Sequence, residues 1–164
     1  MPALEVGEVL SLKRLQEKVG RLKRQGRTVA FTNGCFDLLH AGHVSYLEAV
    51  RRKADCLVVA VNSDRSVRGL KGSGRPLTPA GERCRVLAGL RAVDFVTLFD
   101  VPTPLALIRV LRPDLLAKGG DWKPSQIVGA DFVRSYGGKV VVVPYRAGHS
   151  TTGLIRRIRR LRKD

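Results

Sequence analysis

Short apolar runs alternate along this chain with stretches of helical period, and few folds accept that pattern. The runs are Thr28–Thr32, Cys56–Val61, Phe95–Phe99, Leu115–Ala117 and Lys139–Val143. Several are rich in β-branched residues, and most are bounded by Gly, Pro, Asn or Asp. A strand that is apolar on both sides has no solvent face, so it belongs inside a parallel sheet covered by helices. Between the runs, Val44–Lys53, Pro79–Arg91, Pro104–Leu111 and Ser125–Tyr136 have helical spacing. Strand and helix in turn predict an α/β chain: a Rossmann-like, doubly wound parallel sheet of about five strands with helices on both faces.

Leu12–Gln25 predicts an extra N-terminal helix, so residues 1–27 read as a helical extension and 28–164 as the main domain. Thr151–Leu161 predicts a closing helix, with Leu154, Ile155, Ile158 and Leu161 on one side and arginines elsewhere. Ser63–Thr78 contains Gly69, Gly72, Gly74 and Pro76 and predicts one long loop. Loops of that length in a compact domain are usually functional.

With 164 residues, 44% of them hydrophobic, the chain has enough apolar material for one compact domain. No apolar run is long enough to cross a bilayer, and Met1–Glu5 lacks the features of a signal peptide, so cytoplasmic residence without a membrane partner is expected. Three cysteines without a CxxC pair make neither a disulfide framework nor a zinc site. Cys56 and Cys84 read as small buried hydrophobes.

The net charge of +16 is concentrated at the ends. Lys13, Arg14, Lys18, Arg21, Lys23, Arg24 and Arg27 face Glu17 alone, and the tail carries Arg156, Arg157, Arg159, Arg160, Arg162 and Lys163 against Asp164. Such a balance suits nucleic acid. The chain has few aromatics, no RNP-like strand and no Cys/His finger, so nucleic acid is not expected as its main partner. The cations read instead as solvated helix faces on a protein with polyanionic substrates.

The first apolar run leads into Thr32-Asn33-Gly34-Cys35-Phe36-Asp37, followed by His40-Ala41-Gly42-His43 at the start of a helix. In a doubly wound sheet, ligands sit at the carboxyl ends of strands against the next helix N-terminus. Such an N-terminus offers free N–H groups and partial positive charge to a phosphate. Gly42 lets a phosphate approach the backbone without a Cβ in the way. Two histidines three apart share one face and suit donation to oxygens whose charge grows in a transition state.

The segment Asn33-Gly34-x-Phe36-Asp37-x-x-His40-x-Gly42-His43 resembles the HxGH motif of the cytidylyltransferase-like nucleotidyltransferase superfamily. Val61–Asp64, Leu70-Lys71-Gly72-x-x-Arg75-Pro76, Ala92–Asp94, Leu115–Trp122 and Ser150–Thr152 are similar to one branch, the adenylyltransferase domain of bacterial ADP-heptose synthases. The similarity runs from about Val29 to Ile158. HxGH marks only the superfamily, whereas the LKGxxRP and KGGDW segments are far more specific. Many members of that branch are fused to a sugar kinase domain, and a stand-alone form is expected here.

The resemblance implies transfer of AMP from ATP to D-glycero-β-D-manno-heptose 1-phosphate, with Mg²⁺ accompanying the ATP and a homodimer as a reasonable assembly. It implies catalytic roles for His40, His43 and Lys71. Asn33, Gly34, Phe36, Gly42, Lys118, Gly119, Asp121, Ser150, Thr151 and Thr152 would bind nucleotide together with the two histidines. Asp37, Asn62, Lys71 and Arg75 would meet the substrate phosphate, although Asp37 also suits holding the turn or a histidine. Asp121 and Ser150–Thr152 also suit simple helix capping. A glycerol 3-phosphate-type cytidylyltransferase using CTP is the alternative enzyme, and a non-catalytic nucleotide- or nucleic-acid-binding module is the alternative class.

Overall fold

The computed structural model describes residues 7–120, 122–144 and 151–161. One parallel sheet carries β1 (Glu8–Val9), β2 (Val29–Gly34), β3 (Cys56–Asn62), β4 (Phe95–Phe99), β5 (Leu115–Gly119) and β6 (Lys139–Val143), in the spatial order β1-β4-β3-β2-β5-β6. The helices are α1 (Leu12–Arg24), α2 (Ala41–Arg51), α3 (Asp64–Lys71), α4 (Ala80–Ala88), α5 (Leu105–Leu111), α6 (Ala130–Ser135) and α7 (Thr151–Arg160).

Both faces of the sheet are covered, as its apolar strands require. Leu15 and Val19 of α1, Ile108 and Leu111 of α5 and Val133 of α6 pack on Phe31, Val58 and Leu116. On the other face, Tyr46, Leu47 and Val50 of α2 and Cys84 and Leu87 of α4 pack on Leu57, Val59, Val61 and Val96. All seven residues of β3 are buried, which explains its unbroken apolar sequence. Among the described residues, no helix is long and apolar enough to cross a membrane.

The sheet has six strands rather than about five. The added edge strand, Glu8–Val9, is two exposed residues held by pairing with Phe95 and Val96, so it leaves no hydrophobic pattern to read. Strands β2 and β5 also run past their apolar cores. Asn33 and Gly34 pair with Ala60 and Val61, and Lys118 and Gly119 pair with Val142 and Val143. Ladder bonds belong to the backbone and form whatever the side chain.

Two expectations about helices change. Ser63–Thr78 is not one loop, because Asp64–Lys71 is helical and only 72–79 remains irregular. Ser63 accepts the Ser66 N–H as an N-cap, Asp64 favours the positive helix start, and Val67 is fully buried. Ser125–Tyr136 is not one helix either. It is a 3₁₀ turn at Pro124–Gln126 followed by α6, with Gly129 between them at φ +87°. A Cβ there would lie 2.8 Å from Ile108 Cδ1, so the break is enforced by close packing as well as by φ.

The winding reverses between β2 and β5. Strands β3 and β4 lie on one side of β2, and β5 and β6 on the other. A crevice beyond the carboxyl ends of two such strands is where doubly wound sheets bind ligands.

Candidate functional site

A cavity of about 260 Å³ opens at that crevice. Its walls are Thr32–Asp37 at the end of β2, His43 and Tyr46 of α2, Lys71 and Arg75, Lys118 and Gly119 at the end of β5, Trp122, and Thr151 of α7. The topology thus brings together Asn33, Gly34, Phe36, Asp37, His43, Lys71, Arg75, Lys118, Gly119 and Thr151 from distant parts of the sequence.

His43 sits in the first turn of α2, and the rings of His40 and His43 stack with centroids 3.9 Å apart. Phe36 tilts against His43 at 5.5 Å from a left-handed backbone, φ 48°. A Cβ on Gly34 would come within 3.0 Å of the Phe36 ring, so glycine is what lets that ring settle. Burial first, then the charges of His40 and Lys71, push the pKa of His43 down to about 4. The ring is therefore neutral near pH 7, with one N–H to donate. His40 does not line the cavity but backs His43, and Gly42 is buried in the same turn.

The cations are placed by named partners. Lys71 ends α3 and is exposed at the cavity mouth. Arg75 is largely buried and pairs with Asp37, Nε to Oδ2 3.1 Å. The other oxygen of Asp37 accepts the N–H groups of Leu77 and Thr78 at 2.8 and 2.9 Å. Asp37 thereby holds the 72–79 loop rather than presenting itself to a phosphate. Lys118 donates to the carbonyl and the side-chain oxygen of Asn33 at 3.1 and 2.9 Å and lies 5.7 Å from the Trp122 ring centre. Burial pushes the pKa of Lys118 down to about 8. Thr151 donates to the Leu38 carbonyl at 3.2 Å and so fixes the start of α7 at the cavity.

Besides His40 and Gly42, two more expected residues, Asn62 and Thr152, lie away from the cavity lining. Asn62 is buried, and its side chain donates to Ser66 Oγ at 2.9 Å. Thr152 is exposed. Asp121 and Ser150 fall outside the described residues.

Sequence reasoning missed Thr32, Cys35, Tyr46 and Trp122 in the walls. Tyr46 was the findable one: it lies three residues after His43 on the same helix face, and its hydroxyl is 2.8 Å from Thr32 Oγ1. It also missed Arg83, whose side chain is fully buried. Arg83 donates to the carbonyls of Thr78, Cys35 and Asn62 and to Asp64 Oδ1. One guanidinium thus ties the 72–79 loop, the ends of β2 and β3 and the start of α3 into a single unit. Beside Glu82 in a helical pattern, it looks like any surface cation.

Around the cavity stand Lys71, Arg75 and Lys118, with the N-termini of α2 and α7. The one carboxylate among the described lining residues, Asp37, is engaged. The arrangement suits a polyanion of several phosphates. Among the described residues, no group of three or more His, Cys, Asp or Glu could hold a metal ion.

The model of the cytidylyltransferase-like family matches residues 31–157. The bifunctional protein HldE of Syntrophotalea carbinolica is 51% identical over 157 residues, covering 95% of this chain and 32% of that protein. The bifunctional protein HldE of Magnetococcus marinus is 54% identical over 143 residues, covering 87% of this chain and 29% of that protein. The chain thus spans about a third of the length of these curated relatives. The lipopolysaccharide core biosynthesis protein from Thermoplasma volcanium superposes with a TM-score of 0.59 at 26% identity, covering 74% of this chain and 98% of that one. Pantoate-beta-alanine ligase from Francisella tularensis, complexed with beta-gamma ATP and beta-alanine, shares the fold with a TM-score of 0.61 at 15% identity, covering 90% of this chain and 69% of that one.

Proposed function

The chain belongs to the cytidylyltransferase-like family, and from that premise we propose that it transfers AMP from ATP to D-glycero-β-D-manno-heptose 1-phosphate, giving ADP-heptose and pyrophosphate. The observation that carries the proposal is the cavity at the β2/β5 reversal: three cations, a neutral His43 and no unengaged carboxylate among the described lining residues. The choice of nucleotide and sugar rests on the resemblance of the LKGxxRP and KGGDW segments and on about half identity to the HldE proteins. The similar structure named for lipopolysaccharide core biosynthesis points the same way.

In this proposal an oxygen of the sugar phosphate attacks the α-phosphorus in line, and the bond to the α,β-bridging oxygen breaks. Pyrophosphate leaves with that electron pair. The attacking phosphate is already ionised, so no general base is required, and catalysis is positioning plus charge neutralisation. His43 donates its N–H to the phosphoryl oxygens, and His40 backs it. Lys71 and Arg75 hold phosphates, the lysine as a point charge and the arginine as a planar fork. Asn33, Gly34, Phe36, Lys118 and Gly119 border the nucleotide, and Thr151 at the start of α7 receives the β- and γ-phosphates.

With Asp37 engaged, the described cavity residues form no resident carboxylate cage for a divalent ion. The Mg²⁺ that the resemblance implies would accompany the ATP and would neutralise charge on its phosphates, beside Lys71 and Arg75. Cytoplasmic residence fits the free thiols Cys35, Cys56 and Cys84. A homodimer follows the resemblance and is checked by light scattering.

The decisive experiment measures pyrophosphate release from ATP, CTP and GTP, each with a panel of sugar 1-phosphates and glycerol 3-phosphate. Turnover with ATP and the heptose phosphate is expected. Turnover confined to CTP and glycerol 3-phosphate would replace the substrate assignment, and turnover with no pair would replace the enzyme by a binding module.

A further inference from the structure

The reaction proposed above uses only the first turn of α7. Thr151 lines the cavity, and Leu154 and Ile155 are half-buried against the domain. Ile158 and Leu161 lie on the same side of the helix by spacing, yet they are 54% and 77% exposed. The apolar stripe therefore begins on the protein and continues past its edge. Arg156, Arg157, Arg159 and Arg160 occupy the rest of the circumference, and all are exposed. Residues 151–161 contain no Asp or Glu, and no ion pair among the described residues involves these arginines.

Whatever covers this half-helix must be apolar under Ile158 and Leu161 and anionic beside four arginines. A second copy seated on this helix would set the same four arginines against these, so like charges oppose pairing here and leave a homodimer to another face. A nucleic acid supplies phosphates, but its exposed bases stack best on planar aromatic side chains, and this helix offers two aliphatic ones and no aromatic. The surface of an anionic bilayer supplies both. We propose that the C-terminal half of α7 docks this protein on an anionic membrane surface. The helix lies in the interface plane, with Ile158 and Leu161 at the headgroup–acyl boundary and the arginines on lipid phosphates. No membrane span is involved. The contact is reversible and weakened by salt, because two aliphatic side chains anchor little and the charges are screened. This inference stands apart from the assignment of nucleotide and sugar.

The test is vesicle co-sedimentation of the full chain. Phosphatidylcholine vesicles containing about a third phosphatidylglycerol are compared with pure phosphatidylcholine, at low and at physiological salt. Binding to the anionic vesicles should exceed binding to neutral ones at least about tenfold and weaken with salt. The double substitution Ile158→Gln and Leu161→Gln keeps the charge. It should weaken binding about tenfold or more while leaving pyrophosphate release in solution unchanged. Replacing all four arginines with Gln should weaken it about 10²–10³-fold. No binding to either vesicle, or equal binding to both, overturns the proposal for the wild-type chain without any variant. Undiminished binding by the folded Gln pair, or single-stranded RNA held more tightly than vesicles and indifferent to that pair, assigns the charge to polyanions in general and overturns it as well.

Discussion

Arg83 and the arginines of α7 are the same side chain in opposite situations. Arg83 is fully buried, and each of its three nitrogens donates to a carbonyl or to Asp64. Arg156, Arg157, Arg159 and Arg160 are exposed on a helix with no buried residue. The guanidinium is always charged, so it is tolerated inside only where its donors are met, and outside it costs almost nothing. A count of cations therefore says little about their work. One holds the site together, and four are free to serve a partner.

The largest effect should come from breaking the buried member of that comparison. Arg83→Ala leaves three carbonyls and Asp64 without their donor, and the cost should be about 3–5 kcal/mol of stability. Arg160→Ala should stay within about 0.5 kcal/mol. Urea denaturation of both variants checks this, and equal small effects would erase the distinction.

Next in size is the cavity itself. His43→Ala should lower kcat by about 10²–10³-fold, the usual loss for one transition-state donor. Urea midpoints at pH 7 should change little. The depressed pKa of His43 also has a sign in stability. The folded value of about 4 lies below the unfolded 6.5, so the unfolded chain takes up the proton first. Stability contributed by the neutral ring is complete above pH 6.5 and is lost as pH falls towards 4. His43→Gln should flatten that part of the pH profile.

Asp37→Asn keeps the shape but removes the charge that orients Arg75. A loss of about 1–3 kcal/mol in stability is expected from the weakened hold on Leu77, Thr78 and Arg75, with a rise in KM for the substrate phosphate. The same anchor predicts a split in hydrogen exchange within 72–79. The amides of Leu77 and Thr78 should exchange slowly and those of Ser73 and Gly74 fast. Uniformly fast exchange would mean that Asp37 and Arg83 do not hold the loop.

The smallest effect separates a half-buried lysine from an exposed arginine. With a pKa of about 8, Lys118 is charged below that pH and loses its proton above it. ATP affinity should fall as pH rises through about 8, and Lys118→Arg should remove that limb, because a guanidinium stays protonated. Calorimetric titration with ATP from pH 7 to 9 reads the difference.

Much of this was legible in the sequence. The apolar runs marked five of the six strands, most plainly β3, which is buried along its whole length and apolar up to Asn62. The motif residues His43, Lys71, Arg75 and Lys118 stand far apart in the sequence, and the fold brings them to one cavity. What escaped was set by packing at a distance. Glu8–Val9 is a strand only because β4 offers an edge, and α3 hid behind Gly69 and Gly72 because Gly-rich polar stretches suggest a loop until one buried side chain, Val67, anchors them. The resemblance grouped Asp37 and Asn62 with the substrate phosphate and left open that Asp37 holds the turn. The folded chain settles Asp37 on the second of these, through the amides of Leu77 and Thr78, and turns the Asn62 carbonyl to Arg83.

Strand burial and motif spacing are local properties, so the fold class, the family and a set of candidate phosphate-binding residues can be read from the chain alone. Folding assigns each cation its place: facing the cavity, spent inside, or left outside. That division depends on which carbonyls and carboxylates lie within about 3 Å of a guanidinium, and such neighbours come from strands and loops far apart in the chain.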